Sequence, residues 1–434
     1  MATQGSGAFT DLGKREDLYY TDPDNCKVES IPVEYNTRFS QDFSNKLSGS
    51  STFIIPPGNG LKHVVICLQY NANRADINAI VPGPSGDWCL ATGWGYNAIR
   101  QISFRVGGSS QYFMTGAQLL ASNLRMVRTQ TQAQALLNFG GAEYGTVSSP
   151  ALNPSTALSA YVVVPVWCPP SADGLSVPLP ADTLAQQVQI TCELQSPWAN
   201  NPGGAGLVPV PGAFDTAFFQ VEQLCMTDRG MAISNHVDLN THELLMPITF
   251  NQQELQVPLA ATTAGTSQSV TLTGFRSGQV KAIQAWLTLN RQANAVPTAA
   301  NSASDAANQL VWIRPKAITV LYAGTIYAQY NSGTSAIFNL IDGTKPVAVS
   351  TGAITMGGAV PTSTSTPSEY VMLPFGNPTG DDYSAEVLTH GKSILNGLVN
   401  LQVVAPTADA YTLHVQYIYN STLVFSKSSA EFRF

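Results

Sequence analysis

The five histidines are the first residues to examine for chemistry, because histidine serves both as a metal ligand and as a general base. His242 and Glu243 begin like the HExxH motif of zinc proteases, but Met246 stands where that motif requires its second histidine. His63 and His414 lie in alternating strand patterns, where a structural histidine is a better explanation than a ligand. We therefore predict that the protein has no metal site.

Carboxylates are the next candidates, since glycosidases work with a pair of them. Asp381, Asp382 and Glu386 form the densest local group, although an exposed turn explains this group better. Asp22 and Asp24 could bind a cation, but a solvated acidic arm is again the better explanation. Neither group predicts a catalytic or binding site.

Motifs for phosphate binding and nucleophilic catalysis are also missing from the sequence. The glycines of residues 203–206 lie in a Pro-rich loop without a following Lys-Ser/Thr, and no Gly-x-Ser-x-Gly elbow occurs. Residues 420–422 fit a glycosylation sequon but lie beside a predicted core hairpin, so we expect no glycan there. We predict that the protein is not an enzyme, with no catalytic residues, no cofactor-binding residues and no cofactor.

The composition is unusually poor in charge. Charged residues are 11% of the 434 residues, against about 25% in a typical soluble domain. Neutral polar and small residues take their place, and removing water from such a surface costs little free energy. This favours a protein that contacts many copies of itself, because interface cores are depleted in charge. A secreted β-protein is the alternative.

The charge balance argues against nucleic-acid binding, since the net charge is −7 and such binding needs clustered Lys and Arg. In the first fifty residues, five basic residues are outnumbered by eight acidic ones: Lys14, Arg15, Lys27, Arg38 and Lys46 against Asp11, Glu16, Asp17, Asp22, Asp24, Glu29, Glu34 and Asp42. A basic arm that grips a genome is therefore not predicted. We expect no direct contact with nucleic acid.

The six cysteines include no CxxC pair, so the sequence predicts buried free thiols and assembly in a reducing compartment. Residues 1–25 are polar and acidic, so we expect no secretory signal peptide. No apolar run reaches the roughly 18 residues of a membrane-spanning helix.

Alternation of apolar and polar residues is the dominant pattern of the chain. It is clear in residues 101–106, 187–194, 399–403 and 413–419, with Pro- and Gly-rich breaks between such segments. Short strands separated by turn signals predict an all-β protein built from sandwiches or barrels. Each pattern places one strand face on a core and the other toward solvent or a neighbour.

One segment departs from this pattern. Residues 115–139 are rich in Ala, Gln and Leu, lack proline and end at Gly140 and Gly141, which predicts one or two helices with a glycine cap. Residues 292–308 are rich in Ala, Asn and Ser and are predicted to form a surface loop.

We predict three segments along the chain. Residues 1–50 are an N-terminal arm, residues 51–230 are a first β domain with a helix-containing loop at about 107–159, and residues 231–434 are a second β domain. Two halves of similar content and length suggest a duplicated unit.

Several segments, in order, resemble the double jelly-roll major capsid proteins of nucleocytoplasmic large DNA viruses, virophages and polinton-like viruses. Residues 161–168, 175–180 and the strand 187–194 are similar to that family's aromatic-x-Pro-Leu-x-Phe-Trp, Leu-Pro-Leu and amphipathic strand. Residues 102–108 and the helix after them resemble its strand, Gly-Gly turn and helix.

The resemblance continues into the second half and covers most of residues 60–434. Residues 226–229 and 242–245 resemble the link between barrels, and residues 280–286 resemble a strand that ends in Trp. Residues 370–378 and 419–434 are similar to a stretch with Tyr, Phe and Pro and to the final hairpin. Residues 383–388 depart from the family's Pro-Ser-Gly-x-x-Asn, which indicates a divergent branch.

The resemblance implies two consecutive eight-stranded jelly-roll barrels, with a short helical insertion in the first. It implies a homotrimer that forms a pseudo-hexameric capsomer of six barrels, with distal loops as outer towers. It also implies contacts with neighbouring capsomers and with minor or penton capsid proteins. The arm would lie at the base of an icosahedral shell, near minor proteins or an internal membrane. The protein would belong to a DNA virus particle assembled inside the host cell.

Other functions stay open at this stage. A two-domain β-sandwich adhesin or carbohydrate-binding protein would be exported, and would be a monomer or small oligomer with a ligand pocket. A minor or penton capsid protein would usually have one jelly roll, and the two barrel-sized halves argue against it. A β-rich glycoside hydrolase would need a convincing acid pair, which the sequence does not offer.

Overall fold

The structure of the protein is a computed structural model. It describes residues 33–46, 49–55, 60–70, 89–90, 93–106, 109–125, 130–141, 158–164, 188–201, 206–209, 213–226, 244–251, 255–263, 265–273, 279–289, 315–331, 370–374, 392–393, 398–425 and 430–433.

The first half forms two four-stranded antiparallel sheets. One has the order β1-β11-β3-β7. Its strands are β1 (Val33–Asp42), β3 (Gly60–Tyr70), β7 (Leu158–Val164) and β11 (Thr216–Met226). The other has the order β2-β8-β5-β6. Its strands are β2 (Gly49–Ile55), β5 (Ile99–Val106), β6 (Ser109–Met114) and β8 (Val188–Leu194). A small third sheet joins β4 (Cys89–Leu90), β9 (Trp198–Asn201) and β10 (Gly206–Pro209).

The second half repeats this plan. A seven-stranded sheet has the order β12-β21-β15-β18, with three short strands attached. Its main strands are β12 (Leu244–Asn251), β15 (Gln279–Leu289), β18 (Val371–Pro374) and β21 (Tyr411–Phe425). The attached strands are β13 (Leu255–Leu259), β19 (Lys392–Ser393) and β22 (Ala430–Arg433). The facing sheet, in the order β14-β20-β16-β17, holds β14 (Ser267–Leu272), β16 (Ala317–Tyr322), β17 (Thr325–Asn331) and β20 (Val399–Val404).

The two halves have the same topology. In each, the first and last main strands are neighbours, as are the second strand and the next-to-last one, so the chain folds back on itself as in a double Greek key. In chain order, β12, β14, β15, β16, β17, β18, β20 and β21 correspond to β1, β2, β3, β5, β6, β7, β8 and β11. The predicted all-β fold of two eight-stranded jelly rolls is therefore confirmed.

In β8 and β20 the alternating patterns bury one face of the strand, as predicted. Along β8, Val188, Ile190, Cys192 and Leu194 are at most 2% exposed, while the residues between them are half-buried. Along β20, Val399, Leu401 and Val403 are all 0% exposed. Each such side chain contributes roughly 1.5–3 kcal/mol through burial. The buried residues form two hydrophobic clusters, one centred on each jelly roll.

The helical insertion lies between β6 and β7, where the sequence predicts it. It contains α2 (Gly116–Arg125) and α3 (Gln130–Phe139), and a short helix, α1 (Trp94–Asn97), precedes β5. Gly141, just after α3, has a φ of 124°, a conformation that favours glycine. In the part of the chain that the structure describes, no helix combines the length and apolarity needed to cross a membrane.

The first strand lies within the segment predicted to be an arm. β1 pairs with β11 from Val33 to Asp42, so these residues form part of a barrel sheet, and they extend the first jelly roll upstream of residue 51. The reason is that β11 needs a partner on its outer edge, and β1 supplies those hydrogen bonds. Residues 227–243 lie outside the described residues, and the boundary near residue 230 stays a proposal.

Candidate functional site

Among the five histidines, His414 on β21 is the one that the structure describes most fully. It is 7% exposed, its Nε2 lies 2.8 Å from Thr288 Oγ1, and its ring stacks on Trp286 with the centroids 5.4 Å apart. Burial lowers the pKa of His414 to about 4, so the imidazole is neutral at pH 7. No group of metal-ligating side chains occurs among the described residues.

Most of the other groups that could do chemistry lie outside the described residues. The carboxylates Asp381, Asp382 and Glu386 lie outside the described residues, as do His242 and Glu243. The side chain of His63, on β3, is also outside them. Two cysteines are described as buried free thiols, Cys67 and Cys192, and burial raises the pKa of both.

What the structure assembles instead is a contact between the two jelly rolls. From Ala282 to Leu287, every residue of β15 is buried, although a barrel strand usually has one face exposed. Ile283, Ala285 and Leu287 face the core of the second jelly roll. The alternate residues, including Gln284 and Trp286, point to the outside of that barrel and are also buried. Another part of the molecule therefore covers this outer face.

The covering element is α2 of the first jelly roll. Gln284 Nε2 donates to the carbonyl oxygen of Ala121 at 3.4 Å, and Trp286 and Tyr370 belong to the hydrophobic cluster of the first jelly roll. From Gly116 to Leu124, α2 is buried on all sides. A helix that is buried all round lies between two packed bodies. We call this contact the barrel–barrel contact.

The local sequence sets where α2 begins. Thr115 Oγ1 accepts from the backbone N–H of Gln118 at 3.3 Å, and Gln118 Oε1 accepts from the backbone N–H of Thr115 at 2.8 Å. This reciprocal pair is a capping box. The Thr-x-x-Gln pattern is visible in the sequence and marks the start of the helix.

Close packing then fixes α2 against the first jelly roll. A Cβ atom at Gly116 would lie 1.7 Å from the carbonyl oxygen of Tyr96, so only glycine fits there. Asn123 Nδ2 donates to the Tyr96 hydroxyl at 3.0 Å and to the carbonyl oxygen of Val163 at 2.9 Å. These contacts are far apart in sequence, and no local pattern indicates them.

Polar side chains lie in the middle of the barrel–barrel contact. Gln284 on β15 is the register partner of Gln416 on β21, and both are 0% exposed. Within the described part of the chain, Gln284 Oε1 and both amide atoms of Gln416 have no hydrogen-bond partner. A buried polar group without a partner costs about 1–3 kcal/mol.

Four connections between strands of the first jelly roll start and end at the same end of the barrel, and the structure describes residues 43–46, 89–90, 93–98, 115–125, 130–141, 195–201, 206–209 and 213–215 of them. We call this end the loop end. The backbone N–H of Gly93 donates to the carbonyl oxygen of Gly141 at 2.7 Å, and that of Gly95 donates to Gly140 at 2.8 Å, so two connections are joined. β4 pairs with β9 and joins a third. Backbone hydrogen bonds therefore connect three of these connections to one another at the loop end.

Exposed strand faces bear neutral polar pairs. Thr52 and Thr191 lie hydrogen-bonded across β2 and β8 at 3.0 Å, and Thr271 donates to Asn400 across β14 and β20 at 2.6 Å. An ion pair, Arg100 with Glu193 at 2.9 Å, also lies on these faces. Such surfaces lose little free energy when they are dehydrated by a neighbour.

Comparison with solved structures places this architecture among known folds. PBCV-1 VP54, as fitted into a reconstruction of the virophage Sputnik, superposes with a TM-score of 0.59 at 11% identity, over 93% of this chain and 98% of that one. The Faustovirus major capsid protein gives 0.54 at 11% identity, over 96% and 97%. The mavirus major capsid protein gives 0.50 at 12% identity, over 96% and 94%.

The chain thus has the double jelly-roll fold of viral major capsid proteins along nearly its whole length, in a divergent form. The resemblance inferred from sequence motifs is confirmed at the level of the fold. No protein-family model and no curated protein matches the sequence.

Proposed function

We propose that this protein is the structural major capsid protein of an icosahedral double-stranded DNA virus. Three chains form a capsomer, and their six jelly rolls give it a pseudo-hexagonal outline that tiles a shell. The observation that carries the proposal is the pair of topologically equivalent jelly rolls, held together by α2 within one chain. Two similar barrels per chain turn a three-fold assembly into one with six similar units.

The surface supports the same proposal. Only 11% of the residues are charged, and exposed strand faces carry threonine and amide side chains. The role is structural and involves no catalysis. The partners are two further copies in the trimer, neighbouring capsomers and minor or penton capsid proteins. An internal membrane or minor proteins lie beneath the shell, and the acidic N-terminal residues face them and not nucleic acid.

The loop end of the first jelly roll has a natural place in this arrangement. The strands stand roughly normal to the shell. Connections that are hydrogen-bonded to one another at one barrel end can then extend outward as a tower. Loops on a rigid scaffold are where surface contacts usually reside. Particles of this kind are built inside the host cell, in keeping with buried free thiols.

The solution mass of the full chain tests the proposal. Light scattering coupled to size-exclusion chromatography is expected to give a particle of three times the 46.1-kDa chain mass. A particle that stays at the mass of one chain at micromolar concentration would contradict the proposal and favour the adhesin alternative. A glycan-binding screen would then be the next experiment.

A further inference from the structure

The barrel–barrel contact holds a titratable side chain between two bodies that each have their own core. His414 is 7% exposed, with its ring stacked on Trp286 and its Nε2 2.8 Å from Thr288 Oγ1. Leu413 and Val415, on either side of it along β21, face the core of the second jelly roll, so His414 points to the outside of that barrel. A charge on this imidazole would therefore lie in the layer between the jelly rolls and not in a barrel core.

The side chains around His414 are neutral where the structure describes them. The outward residues closest in register on the paired strands β15 and β13 are Gln284, Trp286, Thr288 and Gln256. The titratable residues on β21, β15 and α2, and next to β13, are Tyr411, Tyr417, Tyr419, Lys281, Arg125 and Glu254. Tyr411 and Tyr417 face the core of the second jelly roll, and the side chains of the other four lie outside the described residues.

We propose that protonation of His414 separates the two jelly rolls, so that the barrel–barrel contact is an acid-sensitive joint within the chain. A buried charge costs far more free energy than the same charge in water, so the imidazolium favours a state in which water reaches the ring. Separation of the jelly rolls admits that water while both barrel cores stay closed. The inference goes beyond the proposed function, because it concerns a single chain and does not depend on assembly.

The layer between the jelly rolls is already suited to water. Gln284 and Gln416 lie there with buried amide atoms that have no hydrogen-bond partner among the described residues, and water would satisfy them. The helix α2 would stay with the first jelly roll, because Gly116 fits closely against Tyr96 and Asn123 is hydrogen-bonded to the Tyr96 hydroxyl. The two barrels can thus part as rigid bodies.

Proton linkage sets the size of the effect. Burial lowers the pKa of His414 to about 4 in the closed contact, against 6.5 for a hydrated imidazole. The separated form therefore binds the proton first as the pH falls. The ratio of separated to closed chains should rise roughly thirtyfold between about pH 7.5 and pH 5.

Hydroxyl-radical footprinting read by mass spectrometry tests the proposal, because it reports the exposure of individual aromatic side chains at any pH. Trp286 and Tyr370 lie in the barrel–barrel contact, and we call them the contact pair. Phe219 and Tyr417 lie in the cores of the first and second jelly rolls, and we call them the core pair. Oxidation of the contact pair reports separation, whereas oxidation of the core pair reports unfolding.

The full-length wild type is compared with two variants, with oxidation normalised to a radical dosimeter at each pH. His414→Gln is the test variant, because its side chain is polar and does not titrate. His63→Gln is the matched control, since it removes an imidazole from β3 of the first jelly roll. If His414→Gln does not fold, His414→Phe keeps a flat ring beside Trp286 and also lacks a titratable group.

The expected result is that oxidation of the contact pair rises by up to roughly thirtyfold at pH 5 in the wild type and in His63→Gln, but not in His414→Gln. The core pair stays protected in all three proteins. An equal rise in His414→Gln would overturn the inference by showing that another group responds to acid. A simultaneous rise at the core pair would show that acid unfolds the barrels instead of separating them. An unchanged contact pair in the wild type would show that the contact stays closed.

Discussion

His414 and Trp286 lie on adjacent strands with their rings parallel to within 3°, in a layer that two jelly rolls bury together. The alternation of residues 413–419 predicts that His414 points away from its own barrel core, and the structure agrees. Alternation does not show whether solvent or protein lies on that outer side, because the sequence of one strand alternates in the same way in both cases. Here it is protein, and burial makes His414 a neutral residue.

The pH dependence of stability follows from His414. Because its pKa falls from 6.5 when unfolded to about 4 when folded, the unfolded chain binds a proton first as the pH drops. Titration of His414 therefore leaves the free energy of unfolding unchanged above about pH 6.5. Between that pH and pH 4 it lowers the free energy of unfolding by roughly 3 kcal/mol in total. Urea unfolding across this range should show a steeper loss in the wild type than in His414→Gln, which cannot titrate. Identical slopes would contradict a buried neutral histidine.

Gln416 offers a second prediction at this scale. Both atoms of its amide are buried without a hydrogen-bond partner among the described residues. Gln416→Met keeps the length of the side chain and removes the polar atoms, so the free energy of unfolding should rise by about 1–2 kcal/mol. Gln195→Met is the control, because Gln195 Nε2 donates to the Asn97 carbonyl oxygen at 2.7 Å and that substitution should destabilise. A decrease for Gln416→Met would indicate that its amide is satisfied.

At the scale of elements, α2 determines how the jelly rolls meet. Composition predicts this helical segment and its glycine end, and the structure confirms helices between β6 and β7. The capping box of Thr115 and Gln118 was also readable. Gly116 lies in the first turn of α2, and glycine is a poor helix former. Its presence there indicates that another part of the chain packs closely against the helix. That the partner is Tyr96 depends on the fold.

Gly116→Ala tests the placement of α2. The added methyl would meet the Tyr96 carbonyl oxygen at 1.7 Å, so the helix must shift, and the free energy of unfolding should fall by roughly 3 kcal/mol. Ala117→Gly changes the same helical turn by one methyl in the opposite sense and should cost only about 1 kcal/mol. Chemical denaturation of both variants measures the difference. Equal effects would mean that helix propensity alone explains the loss.

The strand β15 shows the limit of pattern reading for elements. Residues 280–287 are apolar except for Lys281 and Gln284, which is unusual for a barrel strand with a wet outer face. That near-continuous run was a signal of burial on both sides. The bulge between Val280 and Ala282, which turns both Val280 and Ile283 toward the core, could not be foreseen because it arises from pairing with β21.

At the scale of the whole molecule, the repeated topology is the central feature. Similar content in two halves predicted a duplicated unit, and the strand orders agree in both sheets of each jelly roll. The extent of the first jelly roll was harder to predict. The acidic composition of residues 1–50 suggested an arm, but β1 within that segment pairs with a strand more than 170 residues away. Pairing across such a distance leaves no periodic signal near either strand.

In the proposed assembly, the repeated topology means that one chain needs few kinds of contact. Because the two jelly rolls share one topology, each jelly roll in the proposed assembly has similar neighbours. Only the loops then distinguish the six positions. The low charge of the strand faces suits contacts that must form and separate while a shell is being completed.

Negative-stain imaging of the purified full-length protein tests the central claim most directly. The account predicts compact particles whose class averages show three-fold symmetry and a near-hexagonal outline made of six similar lobes. Single two-lobed particles, or rings with another number of chains, would contradict a trimeric capsomer of double jelly rolls.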